Sequence, residues 1–163
     1  MDGASESRED RDGAAVRFPP PFVPLIALAL GVAVHALVWP LRLPFQGIAR
    51  YGMAAVLVAL GVGLMGLALK LFRRSGQDPA PWKSTPEVLA TGVYKLTRNP
   101  MYLGMGLLQA GIGVALANGW VVAFVPLTWL AIYCVAIRHE EAYLERKFGR
   151  VYSDYKRTVR RWL

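Results

Sequence analysis

The chain has 163 residues, of which 55% are hydrophobic, with a net charge of +8 and a mean hydropathy of +0.33. This is enough for one domain, and it is too apolar for an ordinary soluble one. A single cysteine, Cys134, excludes an intrachain disulfide, and no cluster has metal-ligand spacing.

Residues 1–17 carry five acids and three arginines and almost nothing apolar, the pattern of a disordered tail. Three uncharged runs follow, Phe18–Leu41, Tyr51–Leu69 and Asn99–Ile137. A bilayer-spanning helix needs about 20 mostly apolar residues. The first two runs supply one span each, at about 21–41 and 51–72. The third breaks at Asn118-Gly119 and supplies two, at about 100–117 and 119–138. Within the second span Ala55, Ala59 and Gly63 recur every four residues. Gly106 with Ala110, and Gly111 with Ala115, do the same in the third. Small side chains at that spacing let helix backbones approach closely.

The expected fold is therefore all-α, a polytopic membrane protein with four transmembrane helices and an interfacial C-terminal helix. The membrane domain is 18–163, with a cytosolic segment at 139–163. Basic residues collect in two places. Lys70, Arg73, Arg74, Lys83, Lys95 and Arg98 lie from the end of span two to the start of span three, and eight Lys or Arg lie from Arg138, at the end of span four, to Arg161. Arg42 and Arg50 alone flank the first link, and the Asn118 turn has none. The positive-inside rule then puts both termini in the cytoplasm. The basic excess reads as orientation and lipid headgroup contact, not as nucleic-acid binding.

The loop after span two holds a proline-stiffened piece, Gln77–Trp82, with Trp82 a candidate lid or interface anchor. Thr85-Pro86-Glu87 reads as a helix start, with Thr as N-cap and Pro at the first helical position. From Gly119 to Glu140 is about 30 Å of helix, which brings Glu140 to the inner interface. Glu140, Leu144 and Phe148 repeat at i, i+4, i+8 on one face, and Gly149 is a C-cap. Glu140 can be a ligand or an ion-pair partner of Arg98 or Arg138. Glu141 shares a face with Glu145 and reads as a solvated charge paired with Arg138. Tyr152 and Tyr155 among Lys156, Arg157, Arg160 and Arg161 suit a helix lying on anionic lipid.

Two clusters bracket the last hydrophobic hairpin. One is Gly92-Val93-Tyr94 followed by Thr97-Arg98-Asn99-Pro100-Met101-Tyr102-Leu103-Gly104. The other is Glu140-Glu141-x-x-Leu144-x-x-x-Phe148-Gly149-x-x-Tyr152-x-x-Tyr155. In this order the pair resembles the isoprenylcysteine carboxyl methyltransferase and phospholipid methyltransferase superfamily, over about residues 55–160. Gly61-Val62-Gly63 resembles a glycine pair of the phospholipid enzymes. The resemblance implies an integral membrane enzyme that uses S-adenosylmethionine and methylates a lipophilic acceptor from the bilayer. It implies cofactor contacts at Val88, Leu89, Tyr94, Asn99, Pro100, Met101, Tyr102, Glu140 and Glu141. The catalytic candidates are Arg98, Glu140 and Arg138.

The chain departs from the prenylcysteine enzymes at two positions. Ala136 stands where those enzymes carry an arginine for the substrate carboxylate, and Asn99 stands where they usually have histidine. Ala136 counts against prenylcysteine itself, and Asn99 leans towards the bacterial and phospholipid branches. Membrane sterol reductases share an Arg-x-Pro-x-Tyr loop but use NADPH and usually lack the paired glutamates. A non-catalytic four-span protein is the other class, and cofactor binding discriminates among the three.

Overall fold

The computed structural model describes residues 13–44 and 46–163, and every regular element among them is helical. The elements are α1 (Phe22–Leu37), α2 (Gly47–Arg74), a 3-10 turn (Gly92–Lys95), α3 (Pro100–Ala115), α4 (Gly119–Ala123), α5 (Val125–Ile132), a π-helical turn (Tyr133–Ile137), α6 (Arg138–Phe148) and α7 (Arg150–Thr158). The path from Gly119 to Phe148 forms one helical rod of 30 residues. That rod and α2 are long and apolar enough to cross a membrane, while α1 and α3 are shorter apolar helices. Only 17% of the most apolar stretch of α2 is buried by protein. An apolar helix that bare is consistent with a membrane protein.

The ends of the elements differ from expectation for local reasons. α1 stops at Leu37, four residues short of the expected end, because Pro40 disfavours helical geometry in the residue before it. α3 stops at Ala115, and Ala117 turns the chain with φ 51°. Thr85-Pro86 starts no helix. Instead the Thr85 amide donates to the Tyr143 hydroxyl, and Gln77 Nε2 donates to the Glu87 carbonyl. Those tertiary bonds hold 85–87 in an irregular path that a helix would break. Residues 1–12 of the tail lie outside the described residues. Beyond them, Ala14 and Val16 are buried and the Ala14 amide donates to the Pro81 carbonyl, so this part of the tail is structured.

Two compact units emerge, and each has its own core. The first unit comprises Pro20–Met65 and Met101–Ile132. Here α1 packs against α4 and α5, with Gly31 admitting Val121. A Cβ at Gly31 would stand 2.9 Å from the Val121 Cα. Asn118 organises the turn between α3 and α4. Its Oδ1 accepts from the amides of Trp120 and Val121, which makes it an N-cap, and its Nδ2 donates to the Gly31 carbonyl. The close approach of α2 and α3 uses Ala54, Val58 and Gly61 against Gly104, Leu108 and Gly111. The expected stripe of Ala55, Ala59 and Gly63 is exposed and packs nothing within the chain. Small residues occupy two faces of α2, and the buried seam is the one that also carries Val58. In α3, Gly106 makes room for Trp129, whose indole donates to the Tyr102 carbonyl.

Polar side chains inside this unit are matched. Gln109 and Thr128 are 2% and 1% exposed. The Thr128 hydroxyl donates to Gln109 Oε1 at 2.8 Å, and Gln109 Nε2 donates to the Val121 carbonyl at 3.0 Å. Replacing Gln109 by Leu strands the hydroxyl. The expected cost is about 1–2 kcal/mol, measured by thermal or denaturant unfolding in detergent, with Gln109→Glu worse still.

The second unit comprises Gly66–Pro100 and Tyr133–Leu163 with the chain up to Pro19. Its core is Tyr152, Tyr155 and Val159 of the C-terminal segment, against which Val88, Leu144 and Phe148 pack. The aromatic face of α7 is thus buried inside the protein. The helical face 140–144–148 predicted from spacing is real, and Gly149 caps α6 with φ 50°.

Candidate functional site

The Gly-Val-Tyr motif forms the 3-10 turn. Gly92 takes φ 55°, a left-handed conformation, while Leu71 stands 3.0 Å from where a Cβ would be. The turn drives Val93 and Tyr94 inward. The Tyr94 ring meets Phe72 edge-on at 6.1 Å, and its carbonyl accepts a 2.6 Å hydrogen bond from Tyr155.

The next three residues are tied to the C-terminal segment. The Arg98 amide donates to the Arg160 carbonyl at 3.0 Å. The Thr97 hydroxyl and Asn99 Nδ2 both donate to the Arg161 carbonyl, at 2.9 and 3.0 Å. Thr97 Oγ1 also accepts from the Asn99 amide. Pro100, fully buried, opens α3 where its missing N–H costs nothing. Met101 and Tyr102 continue that first turn.

Glu141 is the charge hub. Its carboxylate accepts two parallel bonds from Arg161, from Nε at 3.0 Å and Nη2 at 2.8 Å. Arg98 Nη1 stands 3.1 Å from the same carboxylate. The Glu141 and Arg98 side chains are 14% and 10% exposed, so this pair is largely shielded from water. The hydrogen bond from Arg161 to Glu141 also strengthens the guanidinium's hold on its proton. Arg161 further stacks over the Tyr133 ring at 4.8 Å, inside the π-helical turn. Glu141 is therefore not a solvated charge paired with Arg138. Its own helix offers only neighbours three or four residues away, and its partners come from distant segments.

Glu140 is half-buried in the first turn of α6, and its carboxylate is near enough to Tyr94 to act on it. Burial, then the Glu140 charge, then Tyr155 push the Tyr94 phenol above its ordinary range. Tyr152 is raised by burial and by Glu141, against the lowering influence of Arg98. These tyrosines are neutral at any physiological pH.

Val88 packs on the Tyr152–Tyr155 cluster, and Leu89 beside it is half-buried. Arg138 is exposed and donates through Nε to His139 Nε2 at 3.3 Å. It is not brought into the network around Glu141. Ala136, one turn before Glu140, is fully buried. The residues that sequence reasoning missed are Thr97, Tyr143 and above all Arg161. The basic, aromatic C-terminal stretch carried the composition of a lipid-facing helix, and that masked Arg161.

The Tyr155 phenol is pushed up to about 12 from 10.0, first by burial, with Arg98 acting the other way. A raised folded pKa favours the protonated phenol in the folded chain. Its contribution is intact below pH 10 and is lost as pH rises from 10 towards 12. Tyr155→Phe should cost about 1 kcal/mol near neutral pH through the lost bond to Tyr94. It should also shallow the alkaline limb of a stability-versus-pH curve, read from melts between pH 8 and 12.

Known proteins are similar to this chain. Over 74 residues it is 34% identical to protein-S-isoprenylcysteine O-methyltransferase B of Arabidopsis thaliana, which covers 45% of this chain and 37% of that relative. Over 141 residues it is 28% identical to a probable protein-S-isoprenylcysteine O-methyltransferase of Oryza sativa subsp. indica, covering 83% of this chain and 72% of the relative. An uncharacterized protein of Haemophilus influenzae is 41% identical over its whole length and 39% of this chain. The phospholipid methyltransferase family matches residues 49–151, a stretch that holds the 3-10 turn, the Arg98–Asn99 loop and both glutamates. The chain belongs to this family of methyltransferases.

Proposed function

We propose that this protein is an integral membrane methyltransferase that takes S-adenosylmethionine and methylates a lipophilic acceptor. The acceptor is of the isoprenylcysteine carboxylate or phospholipid amine class. The observation that carries the reading is the pairing of the two motif clusters. The Thr97–Asn99 turn and Glu141 are locked together in one unit, with Glu140 beside Tyr94.

The residues present suit such a cofactor. Arg98 Nε is a buried donor without a hydrogen-bond partner, open to an anionic carboxylate, while Nη1 is already paired with Glu141 at 3.1 Å. Glu140 can accept from ribose hydroxyls or an ammonium group. Asn99 commits Nδ2 to Arg161, which leaves Oδ1 as an acceptor. The Tyr94 ring offers an apolar, cation-tolerant wall. When bound, the cofactor supplies an electrophilic methyl on a sulfonium. The chain's part is to hold the donor, orient it and exclude water, since in-line displacement gains more from placement than from an acid or base. A carboxylate acceptor needs no base, whereas an ammonium headgroup must first lose a proton. Ala136 in place of an arginine favours an acceptor that is not held there as a carboxylate.

Calorimetry on detergent-purified protein tests this reading. Saturable S-adenosylmethionine binding supports it, and NADPH binding in its place would assign the chain to reductase chemistry. A labelled methyl donor with a lipid extract then finds the acceptor. We also propose four spans, α1, α2, α3 and the Gly119–Phe148 rod, with both termini cytoplasmic. Reporter fusions at Gly47 and Leu163 should give opposite signals, and identical signals would overturn that topology.

A further inference from the structure

Arg161 closes a ring with its two ends. Its carbonyl collects the Thr97 hydroxyl at 2.9 Å and Asn99 Nδ2 at 3.0 Å. Its guanidinium clasps Glu141 in two bonds, and Glu141 in turn holds Arg98 at 3.1 Å. The Arg98 amide completes the contact by donating to the Arg160 carbonyl. Three consecutive motif residues are thus fixed by two consecutive residues of the C-terminal segment. Thr97 and Asn99 are 0% and 8% exposed, so water cannot replace these partners cheaply.

We infer that Arg161 is a positioning residue for the cofactor site, acting through Asn99, Arg98 and Glu141 rather than by touching ligand. Its carbonyl sets the Asn99 amide plane, so that Nδ2 is consumed and Oδ1 is left to a ligand. Its guanidinium anchors Glu141, which holds Arg98 through Nη1 and orients Nε, the buried donor that has no hydrogen-bond partner. The Tyr133 ring at 4.8 Å holds the guanidinium plane from the other side. Lysine cannot copy this, because the work is done by a planar fork, two parallel bonds and a stacked face. The role rests on the S-adenosylmethionine reading above.

The test uses the full chain in detergent, with Arg161→Ala and Arg161→Lys compared below the melting temperature of each. Two readouts separate positioning from bulk stability. One is hydrogen exchange in peptides covering 94–99, against 104–115 as an internal control. The other is S-adenosylmethionine affinity. Arg161→Ala should speed exchange in 94–99 with little change in 104–115, and should raise the cofactor Kd about tenfold. Arg161→Lys should recover less than half of that loss on a logarithmic scale. Glu141→Gln should cost less in the Arg161→Ala background than alone, because these two side chains act as a unit, whereas the carbonyl that holds Asn99 is kept in both variants. A lowered melting point with wild-type affinity would overturn the inference and leave Arg161 a stabilising contact. If the wild-type protein binds no S-adenosylmethionine, the proposed function fails, and exchange alone then decides. Faster exchange confined to 94–99 retains Arg161 as what positions this turn, and unchanged exchange discards it.

Discussion

Glu140→Gln is expected to weaken S-adenosylmethionine binding ten- to a hundredfold while the protein still folds. Glu140 shares the 140–144–148 face with Leu144 and Phe148, which pack on the Tyr152–Tyr155 core, and its charge acts on Tyr94. Glutamine keeps the size and one acceptor but gives up the charge. A hydrogen bond to a charged group is worth about 1.5–3 kcal/mol, which is roughly one to two powers of ten in affinity. The neighbouring glutamate supplies the contrast. Glu141 is tied to Arg98, which is largely shielded, and to Arg161, whose side chain is 37% exposed, so Glu141→Gln leaves two guanidinium groups short of their anion. Breaking a fully buried pair costs about 3–5 kcal/mol, and solvent at Arg161 puts this site below that, yet the melting point should fall clearly. Calorimetry and thermal melts on both variants separate the roles. If Glu140→Gln binds cofactor normally and only melts earlier, Glu140 is a structural partner and the site lies elsewhere.

Much of this arrangement was legible in the residues. Absence of charge located the four apolar segments, because lipid-compatible helices cannot carry unmatched charge. Asn118 marked the hairpin, and it proves to be an N-cap. Periodicity placed Glu140 with Leu144 and Phe148, and Gly149 ended that helix. What periodicity cannot see is a partner from another segment. Glu141 looked solvated because its helical neighbours are Arg138 and Glu145, whereas Arg161 lies twenty positions on. The same blindness made Tyr152 and Tyr155 look like a lipid face. An interfacial helix and a helix covering a buried core both alternate aromatic and basic residues. Thr85-Pro86 carried proper start signals, but a cap is worth about 1 kcal/mol, and the tertiary bonds of Thr85 and Gln77 outweigh it.

Gly61-Val62-Gly63 allows the sharpest test of the packing, because its two glycines face opposite fates on one helix. A Cβ at Gly61 would stand 2.7 Å from the Gly104 carbonyl oxygen and 2.8 Å from the Leu108 amide nitrogen. Both are backbone atoms of α3, so no rotamer change relieves the clash and the helices must separate. A Cβ at Gly63 meets nothing within 4 Å. Gly61→Val should therefore cost about 3 kcal/mol or more, at the upper end of overpacking penalties, since helix backbones in lipid depend on close approach. Gly63→Val should be neutral or slightly stabilising, because glycine is a poor helix former. Melting of the two variants in detergent measures the difference directly. Equal losses at both positions would mean that the exposed stripe of Ala55, Ala59 and Gly63 is itself a packed surface in the membrane. Loss at Gly61 alone places the packing seam of α2 where Ala54 and Gly61 meet α3, and assigns the glycine pair one structural member and one that faces outward.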